Sequence, residues 1–235
     1  MKLLAFDTST ESLSIAAQHG ARVAAYAGAG GTQASAGLIP ALRQVLIEVA
    51  LSLDELDALV FGRGPGSFTG VRTACSVVQG LGFGARGGAG LPVLPVDSLL
   101  AVAEDARHRH GCTRVVAVLD ARMDEVYVAQ YVHDAGRWNS QGGCAVCAPE
   151  SVVVPPGWTV AGNAHAVYGE RLAPHAPQVP ARPEAAALLR LAPVLLAQGL
   201  AVAAGAALPL YVRDKVAQTT AERSARAACS GASKP

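Results

Sequence analysis

The chain lacks a dominant sign of charge. Nineteen Lys and Arg stand against eighteen Asp and Glu in 235 residues, a formal net charge of +1, so no global field draws it onto a polyanion. A free-standing nucleic-acid binder is therefore not expected. Aromatic residues are scarce, at 5% of the chain, a poor supply for the stacking platforms that hold single strands. Charged residues reach only 16% against 51% hydrophobic, which excludes a chain held open by self-repulsion. The cores must be aliphatic and Ala-rich. Cysteine is sparse and odd in number: Cys75, Cys112, Cys144, Cys147 and Cys229. With Met1-Lys2 running straight into a strand-like segment, this reads as a reduced, cytoplasmic protein without a disulfide framework. A single stretch, residues 191–212, is uncharged for a length that spans a bilayer. It is rich in Ala and Gly, contains Gln198 and is divided by Pro193 and Pro209, so a buried helix followed by a strand is expected and no membrane span.

The length suits one large domain or two small ones. Three strand candidates open the chain, at residues 2–6, 13–18 and 22–27, joined by polar or Gly-containing turns, which predicts an antiparallel meander closed by a Gly-rich loop at 28–31. Leu38, Leu42, Val45, Leu46 and Val49 then fall on one stripe of an amphipathic helix over 35–50, with Ser35 as N-cap and Pro40 bending its first turns. A buried strand at 57–61, a glycine loop at 62–66, a helix from Ser67 to about Gly80, a strand at 91–96 and a helix at 98–108 follow. The second half begins in the same way, with a strand at 114–120 ending in Asp120 and another at 125–130. Asp7 precedes Gln18 much as Asp120 precedes Gln130, a weak internal duplication. Two copies of a ββ(β)αβα unit with mixed sheets make an α/β protein of two lobes with a cleft between them. The expected division is 1–97, an N-terminal lobe; 98–216, a C-terminal lobe entering its last helix (183–197) from a Pro-rich connector; and 217–235, a polar tail expected to be disordered at its end.

Two segments could carry phosphate chemistry. The run Gly62-Arg63-Gly64-Pro65-Gly66-Ser67-Phe68-Thr69-Gly70-Val71-Arg72 joins a strand to a helix and would expose backbone N–H groups at a positive helix end. It lacks the Lys of a phosphate-binding P-loop and misses the dinucleotide fingerprint at Ser67 and Thr69, so close strand-to-helix packing explains it equally well. Asp7-Thr8-Ser9-Thr10 offers a carboxylate for a metal-bound water and hydroxyls for phosphoryl oxygens, or simply a capped turn. Cys144 and Cys147 have half the spacing of a zinc site, and nothing in the sequence brings His108, His110 and Cys112 to them. No metal, no cofactor and no catalytic triad is expected.

Taken together, residues 4–10 (Leu-Ala-Phe-Asp-Thr-Ser-Thr), the 62–72 run, 120–127 (Asp-Ala-Arg-Met-Asp-Glu-Val-Tyr) and 209–214 (Pro-Leu-Tyr-Val-Arg-Asp) resemble the bacterial TsaB (YeaZ) family, in order and over nearly the whole chain. The resemblance implies an actin-like/Hsp70-like (ASKHA) two-lobed fold. It also implies a non-catalytic subunit of the machinery that makes threonylcarbamoyladenosine beside the tRNA anticodon. Such a subunit pairs with a TsaD-like transferase, or with itself when alone, and the pair recruits a TsaE-like ATPase; tRNA is met only through the complex. The pairing helices would be those at 35–50 and 67–80, with Ser35, Leu38, Leu42, Val45, Leu46, Val49, Ser67, Phe68, Gly70, Val71, Ala74 and Val78 as interface residues. On that reading Val71→Asp would yield a folded monomer. The metal-binding His-x-x-x-His of the catalytic relative falls on Ser98 and Val102. Ala34 replaces a His frequent in the family. Asp7, Thr8, Ser9, Gly64 and Gly66 would be at most a vestigial nucleotide site. The competing expectation is a nucleotide-dependent enzyme of the same superfold, kinase-like or glycoprotease-like, which would need a base at the cleft and a phosphate loop in each lobe. Asp120, followed by Ala121-Arg122-Met123, does not supply the second.

Overall fold

A computed structural model describes residues 1–30 and 34–213, with the side chains of the first helix described from Gly37 onward. The expected tail at 217–235 lies outside these residues. β1 (Lys2–Asp7), β2 (Ser12–His19) and β3 (Arg22–Ala29) form the meander. Helix α1 (Ala34–Glu48) leads to β4 (Ala58–Gly62), and α2 (Phe68–Gly84) to β5 (Val93–Val96). The strand order is β3-β2-β1-β4-β5, with β1 antiparallel to β2 and parallel to β4. Because α1 begins at Ala34, Ser35 sits inside its first turn and not ahead of it.

Helix α3 (Ser98–His110) leads into the second sheet: β6 (Arg114–Asp120), β7 (Val126–Asp134), β8 (Arg137–Ser140), β9 (Ala145–Cys147), β10 (Thr159–Gly162) and, after the short α4 (His165–Tyr168), β11 (Gln178–Pro180). Its order, β11-β10-β6-β7-β8, repeats that of the first, with β6 antiparallel to β7 and parallel to β10. The duplication extends to the register. Gln18 faces Leu3, four residues before Asp7, and Gln130 faces Val116, four before Asp120. This is the two-lobed actin-like α/β arrangement that the sequence resemblance implies.

The first sheet is covered on both faces, which is why β1 and β4 read as unbroken apolar runs instead of alternating. On one face Leu4, Phe6, Leu59 and Phe61 pack with Leu38, Leu42, Val45, Ala74 and Val78. On the other, Leu3, Ala5, Val60 and Leu94 meet Leu188, Leu191 and Ala192 of α5 (Ala185–Ala197). Helix α5 follows the second sheet in the chain yet packs on the first, so from residue 185 chain order and packing part company with a division at residue 97. The strand expected after this helix is absent: Val202 makes only an isolated bridge to Val93. Among the described residues no helix is long and apolar enough to cross a membrane.

Glu104 of α3 joins the halves. Its buried carboxylate accepts from Arg107, from Arg190 of α5 at 2.9 Å and from the Trp138 indole of β8 at 3.0 Å. Burial alone would push this carboxyl up, but those hydrogen bonds together hold it below its usual range. A depressed folded-state value means stability that is present above the unfolded carboxyl's range and lost as pH falls through the folded one. Glu104→Gln should therefore lower stability at pH 7 by a few kcal/mol, because the cations lose their partner. It should also flatten the decline toward acid, as thermal melts across pH 3 to 7 would reveal.

Candidate functional site

Strand β1 ends at the Asp7 hairpin, and the loop after β4 lies directly on it. Asp7 is 1% exposed and fully engaged: Oδ1 accepts from the Ser9 amide at 2.7 Å and the Ser9 hydroxyl at 2.6 Å, and Oδ2 from the Ser98 hydroxyl at 2.7 Å. Thr8 donates its hydroxyl to the Gly70 carbonyl at 2.6 Å. The Ser67 amide donates to the Ser9 carbonyl at 2.7 Å, and the Gly64 carbonyl accepts from the Ser98 amide at 2.8 Å. The glycines serve this contact. A Cβ on Gly62 would stand 1.7 Å from Asp7 Oδ2, on Gly66 2.2 Å from the Ser9 carbonyl oxygen and on Gly70 1.9 Å from that of Thr8. The two candidate phosphate segments thus bind each other. Gly70→Ala should cost roughly 1 to 3 kcal/mol, the usual penalty of overpacking a tight site, measurable as a lowered urea midpoint with an unchanged m value.

Desolvation raises the Asp7 carboxyl above its ordinary value, against the hydrogen bonds from Ser9 and Ser98 that lower it. With a raised folded-state value the native protein holds the proton longer, so this group's contribution to stability falls as pH rises through that range. Asp7→Asn removes that slope. The stability of the variant relative to the parent should accordingly improve as pH rises from 4 toward 7, a comparison that paired denaturation curves provide.

Ser98 and Val102, at the positions of the transferase His pair, are both buried; Ser98 holds Asp7 and Val102 packs in the second core. Among the described residues no three His, Cys, Asp or Glu side chains are placed to hold one ion. Burial, with Asp97 nearby, pushes the Cys144 thiol up to about 12, leaving almost no thiolate for nucleophilic chemistry at pH 7.

A cleft of about 350 Å³ separates the lobes, lined by Ser9, Ser67 and Phe68 on one side and Asp120, Arg122 and Tyr127 on the other. Its far wall is a turn in which Arg122, Met123 and Asp124 take left-handed φ of 60°, 57° and 65° in succession, a conformation costing roughly 1–2 kcal/mol per non-glycine residue. Asp120 anchors the turn through the Arg122 amide at 2.9 Å and the Tyr168 hydroxyl at 2.8 Å.

The helix stripe expected to meet a partner is instead spent inside the chain. Leu38, Leu42, Val45, Leu46 and Val49, with Val71, Ala74 and Val78 of α2, lie buried against or beside the first sheet, and Gly70 faces the Thr8 carbonyl. The physical reason is ordinary: a sheet face must be covered, and these helices are its cover. The small-residue face at Gly70 and Ala74 accommodates the hairpin and the sheet, not a second helix. Val71→Asp is therefore expected to unfold the chain, not to give a folded monomer. Of the expected residues, Ser67 and Phe68 lie exposed; the Ser35 side chain lies outside the described part.

The face that α1 turns outward carries Ile39 at 42% and Ile47 at 75% exposure, one turn either side of exposed Arg43. They border a groove of about 390 Å³ lined by Leu46, Leu51, Leu53 and Leu81. On α2 the exposed positions Ser76 and Gly80 lie one turn apart, and nothing stands within 4 Å of where a Gly80 Cβ would be. The sequence signal for this surface is the pair of isoleucines on the polar side of an amphipathic helix, outside the stripe.

Residues 31–221 match the family described as TsaD: tRNA N6-adenosine threonylcarbamoyltransferase. Full-length relatives carry a different name. The chain is 35% identical over 230 residues to the tRNA threonylcarbamoyladenosine biosynthesis protein TsaB of Escherichia coli (strain K12), covering 92% of this chain and 96% of that one. It is 34% identical over 234 residues to the protein of the same name from Haemophilus influenzae, covering 92% and 95%. The solved structure of YeaZ from Pseudomonas aeruginosa superimposes with a TM-score of 0.82 at 41% identity, covering 89% of this chain and 99% of that chain. End-to-end likeness at this level decides between the two names: the chain belongs to the TsaB (YeaZ) family.

Proposed function

We propose that this protein is a non-catalytic scaffold subunit in the biosynthesis of threonylcarbamoyladenosine in tRNA, acting in the cytoplasm by pairing with a TsaD-like transferase. The observation that carries this reading is the division of labour within the first lobe. The hairpin and glycine loop that would serve phosphate are closed upon each other, while among the described residues α1 leaves an apolar ridge and groove uncovered. The pairing surface is the outward face, with Ile39, Arg43 and Ile47 of α1 and Ser76 and Gly80 of α2. Two copies of the chain use the same face when no transferase is present, and a TsaE-like ATPase joins the pair. An exposed apolar ridge beside a groove is the usual mark of such contacts.

Size-exclusion chromatography of the chain mixed with its cognate TsaD-like protein tests the pairing. A 1:1 complex is expected, forming at the expense of a self-associated species. Separate elution of the two proteins at tens of micromolar would overturn it. Titration with ATP in calorimetry should give no heat of binding by the chain alone, and a saturable one would favour an enzyme of the same superfold.

A further inference from the structure

The segment that follows α5 crosses from one lobe to the other within a few residues. Ala207 is buried in the first-lobe core. The Leu210 amide donates to the Arg63 carbonyl at 2.7 Å. The Leu210 carbonyl lies so near Gly64, whose φ is +101°, that a Cβ there would stand 3.1 Å from it. Tyr211 accepts from Arg72 Nε at 2.7 Å and lies 5.9 Å from the Phe68 ring. The Arg72 guanidinium rests 3.6 Å above Phe68 and 5.5 Å from the Tyr211 ring centre, a cation over one aromatic face and beside a second. All of these partners belong to the first lobe.

The next two residues belong to the second. Val212 packs against its core. Arg213 pairs with Glu125 and reaches the Arg122 carbonyl and the Met123 sulfur, each at 3.4 Å. Those contacts grip the turn at 122–124, whose three successive left-handed residues need outside support to persist.

We propose that residues 207–213 form a latch that spans the mouth of the cleft and fixes the opening between the lobes. Hinge closure needs one lobe to move against the other, and beside the Glu104 cluster that also joins the halves a strap bonded to both lobes restrains that movement. Here the strap ties them through the chain's own residues, and its two anchors are different in kind: a cation–aromatic stack on the first lobe and a guanidinium clasp on the second.

Hydrogen–deuterium exchange of the full-length chain tests it, because a latch transmits loosening across the cleft and a local contact does not. Arg213→Ala should speed exchange about tenfold both in the second-lobe turn at 120–127 and in the first-lobe segment at 62–72. Arg171→Ala is the comparison. Arg171 pairs with Asp124 and Glu150 on the second lobe alone, so it should loosen the turn and leave 62–72 unchanged. Tyr211→Ala gives the reciprocal reading: it removes a first-lobe anchor and should speed exchange at 120–127. Loosening confined to 120–127 in Arg213→Ala, or continued protection of 120–127 in Tyr211→Ala, would overturn the latch.

Discussion

Ile47→Asp should leave the chain folded and strip it of its partner. Ile47 is 75% exposed, so in the free protein a carboxylate there remains in water and costs little. In the complex it would be carried into an apolar contact beside the groove of Leu46, Leu51 and Leu81, where an unpaired charge costs several kcal/mol. A weakening of at least about 100-fold in affinity for the TsaD-like subunit is expected, since each factor of ten corresponds to about 1.4 kcal/mol. Calorimetric titration would read this, with a thermal melt within a few degrees of the parent as the control. Undiminished affinity in a folded Ile47→Asp protein would mean that α1 does not face the partner.

Val71→Asp should have the opposite character. Val71 is 1% exposed and its side chain packs toward Gly64 beneath the glycine loop. An aspartate there would lose the apolar contact and bury a carboxyl with no partner provided for it, at a cost of about 3 to 5 kcal/mol. Domains of this kind are stable by only about 5 to 15 kcal/mol. A large share of that margin would vanish, with a large fall in the urea midpoint. A cooperatively folded monomer with the parent's midpoint would contradict the placement of Val71 in the core.

The contrast between these two substitutions shows what the sequence could and could not tell. The period of Leu38, Leu42, Val45, Leu46 and Val49 marks a helix and a buried stripe, but a stripe does not say what buries it. The chain's own sheet and a partner leave the same pattern. Ile39 and Ile47 were visible only as exceptions on the polar face. Strands β1 and β4, the Gln18 and Gln130 positions, and the glycine loop between strand and helix were legible because they depend on neighbours close in sequence or on a repeat. The closure of Asp7 was not: it depends on Ser98, ninety-one residues away, and on three glycines whose purpose appears only when their missing Cβ atoms are placed. The return of α5 to the first sheet was equally hidden, because an Ala- and Leu-rich helix reads the same whichever lobe it covers.

On the proposed function, this chain contributes through its helix surface and not through chemistry of its own. Reconstitution of the modification tests it most directly. Substrate tRNA would be incubated with threonylcarbamoyl-adenylate, ATP and the cognate TsaD-like and TsaE-like proteins, with and without this chain, and the modified adenosine counted. No product is expected from this chain alone, and full formation with all three proteins. Ile47→Asp should abolish the stimulation, whereas Asp7→Asn in an assembled complex should largely retain it. Equal yield without the chain, or loss of yield with Asp7→Asn while the complex remains intact, would overturn the scaffold role.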